Sequence, residues 1–161
     1  MINSKLIYKV LGQLLFIEAF LLFISLLVAY YYQQDDIFAF IVATLITIGG
    51  GLILKWKGHG ADNSMSRRDA YLVVSLSWII FSLFGTLPFM VSGYINNFTD
   101  AYFETMSGFT TTGATILDDV ECVPHGLLFW RSLTQWIGGL GIVFFTIALL
   151  PSLVGGQTKV F

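Results

Sequence analysis

Four long apolar runs divide the chain, and short polar connections separate them. They cover approximately residues 7–32, 37–54, 71–91 and 127–150. A helix rises 1.5 Å per residue, so about 20 apolar residues cross a hydrocarbon layer of about 30 Å. The pattern therefore predicts four membrane-spanning helices, of which the first two form a hairpin.

A shorter segment, NFTDAYFETMSGFTTTGAT, lies between the third and fourth runs. Thr99 or Asp100 is a suitable N-cap for a short helix, and Gly108 is a suitable end. Unpaired backbone groups are costly in lipid, so a loop at this depth must face water, protein or an ion. We therefore predict a re-entrant segment, in which a short helix enters the membrane and a loop returns outward.

The residues that follow this helix are Thr110, Thr111, Thr112 and Gly113. Their successive carbonyl oxygens can replace the hydration shell of an ion. The helix C-terminus carries about half a negative charge, and glycine can adopt backbone angles that are forbidden to its neighbours. We interpret these four residues as a cation selectivity filter.

Arg131 and Gln135 lie one helical turn apart near the outer end of the last run. The Arg131 guanidinium can reach the membrane interface, or it can pair with Glu104 or Asp100 of the short helix. We favour pairing, which would make Arg131 and Glu104 structural supports of the filter loop.

Two further features lie inside the predicted spans. Gly138, Gly139 and Gly141 indicate either close helix packing or a hinge. Glu18 lies near the middle of the first span, where a carboxylate is costly. It is either a functional group or a group hydrogen-bonded to a neighbouring helix.

Composition excludes an ordinary soluble domain. Hydrophobic residues make up 56% and charged residues 11% of the 161 residues, whereas charge is about a quarter in soluble proteins. If the four runs alternate, seven of the eight basic residues fall on one side, which is then cytoplasmic together with both chain ends. These seven are Lys5, Lys9, Lys55, Lys57, Arg67, Arg68 and Lys159. The opposite side collects an acidic face of Asp35, Asp36, Asp100, Asp118, Asp119 and Glu121.

Several other chemistries fail on specific residues. Gly108 to Gly113 match half of the phosphate-loop pattern, but Ala114 occupies the lysine position. Cys122 and His125 supply two ligands, whereas a structural zinc site needs four. The basic residues form no continuous patch, so we predict no nucleic-acid partner. The sequence has no serine, histidine and carboxylate grouping that suggests hydrolysis, so we predict no enzyme and no organic cofactor.

Three segments, SRRDAYLVVSLSWIIFSLFGTLPF, TDAYFETMSGFTTTGAT and LLFWRSLTQWIGGLGIVFFTIALLP, resemble the Trk/Ktr/HKT superfamily of cation transporters, most closely its bacterial Trk branch. The resemblance implies a potassium pore built from four such units in one chain, located in the bacterial cytoplasmic membrane. It implies a homodimer bound to cytoplasmic nucleotide-binding regulatory subunits. The family's filter positions map onto Thr110, Thr111, Thr112 and Gly113, with potassium at Thr111 and Thr112.

The predicted fold class is an all-α membrane protein. We expect an accessory transmembrane hairpin at 1–54, a cytoplasmic basic linker at 55–70, a helix–pore loop–helix unit at 71–150 and a cytoplasmic end at 151–161. Because one pore unit is present where the family has four, we expect the first part of a longer transporter, through truncation or a split gene. The alternatives are a short subunit that assembles four to a pore, and a non-conducting membrane scaffold.

Overall fold

The computed structural model describes residues 2–62 and 66–154, with the backbone alone described for Arg67 and for residues 144–154. Within these ranges the regular secondary structure is helical, which confirms the predicted all-α membrane class. The helices are α1 Ser4–Tyr32, α2 Ile37–Lys57, α3 Arg67–Gly85, α4 Leu87–Val91, α5 Phe98–Phe109 and α6 His125–Val154.

Three helical segments of the described residues are long and apolar enough to cross a membrane. They are Ser4–Tyr32, Ile37–Lys57 and Arg68–Val91. The predicted fourth span corresponds to α6, whose 30 residues extend about 45 Å at 1.5 Å per residue. The predicted cytoplasmic end lies outside the described residues from residue 155 onward.

Helix α3 begins at Arg67, ahead of the apolar run that starts at residue 71. The Ser66 hydroxyl accepts the Asp69 amide hydrogen at 3.2 Å, and the Asp69 carboxylate accepts the Ser66 amide hydrogen at 3.0 Å. This reciprocal capping box satisfies two amide groups that the helix leaves unpaired. The span then breaks at Thr86, and Pro88 lies in the first turn of α4, where its missing N–H is tolerated.

Helix α5 begins earlier than predicted. The Asn97 side-chain oxygen accepts the Thr99 amide hydrogen at 3.0 Å, so Asn97 is the N-cap and the prediction of Thr99 or Asp100 is wrong. Asp100 lies in the first turn instead, where its charge is favourable beside the positive end of the helix dipole.

The hairpin and the remaining helices share one core. Helix α1 packs along α2 and also contacts α3 and α6, while α5 packs between α3 and α6. Phe40 of the hairpin and Phe89, Phe109 and Trp130 of the other helices are fully buried in one cluster. The Trp130 indole N–H donates to the Gly85 carbonyl at 3.0 Å, which satisfies both groups in this apolar setting.

Large apolar side chains also remain on the outside of the hairpin. Examples are Phe20, Phe38, Leu45 and Trp56. In a membrane such faces contact lipid or other transmembrane helices, and this exposure fits the membrane class that the composition predicts.

Candidate selectivity filter

The chain turns sharply at the end of α5. The Thr111 amide donates to the Gly108 carbonyl at 2.9 Å, and the Thr112 amide donates to the Ser107 carbonyl at 3.0 Å. These bonds use the last carbonyls of the helix, which would otherwise be unpaired. The predicted filter therefore starts directly from the C-terminus of α5.

The backbone of this turn has two left-handed residues. Thr111 has φ +57° and Gly113 has φ +75°. Glycine adopts this region without steric cost, as the sequence predicts for Gly113. For a β-branched threonine it is a true outlier, and residues in sparsely populated regions store about 1–3 kcal/mol of strain. Sequence analysis did not predict the conformation of Thr111.

Two hydroxyl side chains tie the loop to α5. The Ser107 hydroxyl donates to the Ala114 carbonyl at 2.6 Å, and the Thr110 hydroxyl donates to the Met106 carbonyl at 2.7 Å. The hydroxyls of Thr110 and Thr112 lie 2.9 Å apart. The loop is therefore tied to its own helix on both sides of the left-handed residues.

Glu104 joins three parts of the site. Its carboxylate accepts the Ile116 amide hydrogen at 3.0 Å and lies 2.9 Å and 3.0 Å from the Thr115 hydroxyl. It also accepts the Arg131 Nε hydrogen at 2.5 Å. Glu104 is buried and Arg131 is nearly so. Of the two predicted partners for Arg131, the contact is with Glu104, while Asp100 lines an outer cleft.

Two glycines bring α5 and α6 into direct contact. A Cβ built on Gly138 would overlap the Phe109 carbonyl oxygen and lie 2.8 Å from its carbon, and one on Gly108 would overlap the Thr134 hydroxyl. A Cβ on Gly139 would instead have its nearest neighbour at 3.9 Å. The predicted close approach is thus specific to Gly138 within the Gly138–Gly139 pair.

Glu18 lies near Gly85 of α3 and Thr105 of α5. Its side chain is buried, and a Cβ on Gly85 would be 3.3 Å from Glu18 Oε1 and 2.7 Å from Thr105 of α5. Neither carboxylate oxygen has a hydrogen-bond partner among the described residues, so the predicted bond to a neighbouring helix is absent there.

Separate contacts involve Cys122, in the connection before α6, and His125, the first residue of α6. The Cys122 thiol donates to the Asp119 carboxylate at 3.0 Å, whereas the His125 ring stacks on Tyr32 with a centroid distance of 4.1 Å. In residues 2–62 and 66–154 no group of three or more His, Cys, Asp or Glu side chains is arranged to hold a metal ion. The Asp119 carboxylate raises the pKa of the Cys122 thiol, because it accepts the thiol hydrogen and repels the thiolate.

One member of the predicted acidic face does not belong to it. Asp36 is only 1% exposed, and its carboxylate accepts the Leu127 amide hydrogen at 3.2 Å at the start of α6. The prediction of an exposed Asp36 is therefore wrong, because the turn between α1 and α2 packs against the start of α6.

Sequence analysis missed two contributors to the site, Ser107 and Thr115. Ser107 lies near the end of the short helix and Thr115 lies two residues after Gly113. Hydroxyl groups at such positions commonly bond to nearby backbone, and this is the signal for both residues. Gln135, noted earlier only for its spacing, lies near Gly113, where an added Cβ would be 3.3 Å from its Nε2.

Comparisons with known proteins agree with this architecture. Residues 33–161 match the model of a family described as TrkH, cation transport protein. The chain is 37% identical over 157 residues to the Trk system potassium uptake protein TrkH of Halomonas elongata, covering 96% of this chain and 33% of that protein. It is 33% identical over 162 residues to TrkG of Escherichia coli K12, covering 99% and 33%.

A solved structure has the same fold. The crystal structure of the potassium transporter TrkH from Vibrio parahaemolyticus superposes with a TM-score of 0.86 at 32% identity, covering 96% of this chain and 34% of that chain. This chain therefore spans about one third of the length of the relatives that it matches. It is a multi-pass membrane protein, and its relatives are transporters rather than enzymes.

The family match covers most of the chain, and the likeness to a solved transporter extends over 96% of it. The chain belongs to the TrkH family of cation transport proteins.

Proposed function

We propose that this chain supplies the first of four pore units of a potassium-uptake transporter, with Thr110, Thr111, Thr112 and Gly113 as its contribution to the selectivity filter. The observation that carries the proposal is the pair of left-handed residues, Thr111 and Gly113, at the end of a short helix whose side chains hold the loop. The potassium assignment draws on the relatives, which are potassium uptake proteins.

The backbone conformation supports a carbonyl-lined pore. In an ordinary strand successive carbonyls point to opposite sides. We propose that the left-handed residues at 111 and 113 turn the intervening peptide planes so that neighbouring carbonyls share a side. A row of such oxygens replaces the hydration shell of potassium, which we assign to the level of Thr111 and Thr112.

The electrostatics of the site support a cation. The C-terminal end of α5 directs about half a negative charge towards the loop. Glu104 does not present an exposed carboxylate to the ion, because Arg131, Thr115 and Ile116 occupy it. Selection therefore rests on backbone oxygens, and potassium is cargo rather than a resident cofactor.

The exposure of the filter supports the need for further units. Residues 110–116 are exposed in this chain, so one unit lines only one side of a pore. We propose that the remaining pore repeats of the same transporter close the ring, and that this chain is the first part of it. The alternatives are four copies of a short subunit and a non-conducting scaffold. The oligomer mass in detergent tests the first of these, because a channel of this size needs four copies whereas a fragment need not assemble.

The remaining partners follow from the family resemblance. We propose a homodimer with membrane lipid around it, and nucleotide-binding regulatory subunits on the cytoplasmic face. We propose that the functional divisions are the hairpin at 1–54, the basic linker at 55–70 and the pore unit at 71–150. The helices cross these limits, because α2 extends to Lys57 and α3 begins at Arg67.

Replacing Gly113 with serine in the complete transporter tests the filter. An added Cβ at φ +75° strains the backbone and turns one carbonyl of the ring. We expect the potassium-to-sodium permeability ratio to fall by about tenfold, equivalent to ~1.4 kcal/mol, with little change in the amount of folded protein. Reversal potentials in mixed potassium and sodium solutions measure the ratio.

Gly60 provides a matched control for this experiment. It has φ +72° and no neighbouring atom within 4 Å of an added Cβ, so Gly60→Ser introduces comparable strain in the connection between α2 and α3, beside the start of α1. Its permeability ratio should equal the wild-type value. The filter assignment is wrong if Gly113→Ser retains current and the wild-type ratio, or if both variants lower the ratio equally.

We propose that both chain ends are cytoplasmic in the bacterial inner membrane, with Cys122 outside. An impermeant maleimide added to intact cells should then label Cys122, but not a cysteine introduced at His59 in a Cys122→Ser background. Because the pKa of the Cys122 thiol is raised, the reactive thiolate forms at higher pH, and labelling should accelerate from pH 7 to pH 9. Labelling at position 59 alone would reverse the orientation.

A further inference from the structure

The outer turn of the hairpin binds the start of α6 directly. The Gln34 side-chain oxygen accepts the His125 amide hydrogen at 2.7 Å, and Asp36 accepts that of Leu127 at 3.2 Å. These are first-turn amides, which have no partner within their own helix. Two residues of the hairpin therefore act as the N-terminal cap of a helix that begins 91 residues later.

The contact is tightly packed. Asp36 is 1% exposed, and a Cβ on Gly126 would overlap its Oδ2 and lie 2.7 Å from Ala29 Cβ. The Tyr32 ring stacks on His125 at an interplanar angle of 10°. The N-terminus of α6 consequently has little freedom to move relative to the hairpin.

Helix α6 carries this constraint to the filter. Arg131 lies less than two turns beyond the capped end and bonds Glu104, which in turn holds Thr115 and Ile116 on the returning side of the filter loop. Packed elements and hydrogen-bond networks carry energetic coupling between sites. The hairpin turn is thus linked to the filter loop by the cap on α6, by the first turns of α6 and by the contact between Arg131 and Glu104.

We propose that the outer turn of the hairpin, residues 32–36, positions α6 and thereby sets the geometry of ion selection, with Gln34 and Asp36 as positioning residues. This inference rests on the proposed filter function. The hairpin then influences selectivity through α6, whereas the sequence predicts only an accessory role for it.

Asp36→Ala in the complete transporter tests the proposal, with the exposed neighbour Asp35→Ala as the matched control. We expect Asp36→Ala to lower the potassium-to-sodium permeability ratio by about threefold to tenfold, which lies within the range for coupling through packed contacts. Asp35→Ala should keep the wild-type ratio. Asp36→Asn retains an oxygen that can accept the Leu127 amide hydrogen, so its ratio should lie nearer to wild type.

A purely structural role gives a different result, in which the amount of folded transporter falls while the ratio of the surviving channels stays at the wild-type value. If Asp36→Ala fails to fold, Gln34→Ala, which removes only the acceptor for His125, is measured in its place and should also lower the ratio. A wild-type ratio in whichever variant folds overturns the positioning role.

Parallel measurement of Gly113→Ser separates the two proposals. If Gly113→Ser lowers the ratio and the Asp36 and Gln34 variants do not, only the hairpin inference fails. If none of these variants changes the ratio, the filter assignment fails as well.

Discussion

Gly138→Ala is expected to abolish potassium uptake by the complete transporter, while Gly139→Ala leaves uptake near the wild-type level. A Cβ on Gly138 would overlap the carbonyl oxygen of Phe109, the residue directly before the filter. The Cβ is fixed rigidly to the α6 backbone and the oxygen belongs to the α5 backbone, so relief requires α5 and α6 to separate by about 1 Å. A shift of this size displaces Thr110 and the residues that follow it.

The neighbouring glycine makes this a controlled comparison. Gly139 occupies the same helix, and an alanine there would have its nearest neighbour, Thr111 Cγ2, at 3.9 Å. Alanine stabilises a helix interior by ~0.5–1 kcal/mol relative to glycine, and this gain applies to both variants. Rubidium flux and gel-filtration profiles of the two proteins provide the measurement. Wild-type flux in Gly138→Ala would show that α5 and α6 do not meet at this residue.

Arg131→Ala is expected to destabilise the folded transporter by ~3–5 kcal/mol, the cost of leaving a buried charge without its partner. The Glu104 side chain is 1% exposed and that of Arg131 is 17% exposed, so water does little to replace the lost guanidinium. The carboxylate would keep only its bonds from Thr115 and Ile116. Thermal melting of purified protein measures the loss, and potassium uptake should fall with it.

The double variant Arg131→Met, Glu104→Gln distinguishes a charge effect from a packing effect. It removes both charges, and the glutamine oxygen can still accept one hydrogen bond from the returning loop. We expect it to be more stable than Arg131→Met alone, because no unpaired charge remains and the side chain at position 131 is the same in both variants. If the double variant is as unstable as the sum of the two single changes, Arg131 and Glu104 act independently and the proposed support is wrong.

The long apolar helices were predictable because the bilayer imposes length and hydropathy on them. The run from residue 37 corresponds to α2, Ile37–Lys57, and the short helix predicted before the threonines corresponds to α5. Local patterns were less decisive at helix ends. Asn97, Thr99 and Asp100 all have suitable capping side chains, and only the structure identifies Asn97 as the cap.

Contacts between distant parts of the chain were not predictable. Asp36 was assigned to an exposed acidic face, since nothing in its neighbourhood indicates a bond to Leu127, 91 positions away. The glycine pair at 138–139 predicts close packing, but the sequence does not indicate which of the two faces α5. The left-handed Thr111 contradicts the local preference of a β-branched residue, and the hydrogen bonds that the Thr111 and Thr112 amides donate to the Gly108 and Ser107 carbonyls hold it there.

Anomalous scattering from thallium bound to the complete transporter tests the central claim most directly. Thallium resembles potassium in size and scatters strongly. The proposed function predicts an anomalous peak within about 3 Å of the backbone oxygens at Thr111 and Thr112, where carbonyls replace the hydration shell. A transporter that conducts thallium but binds it away from residues 110–113 would contradict the filter assignment.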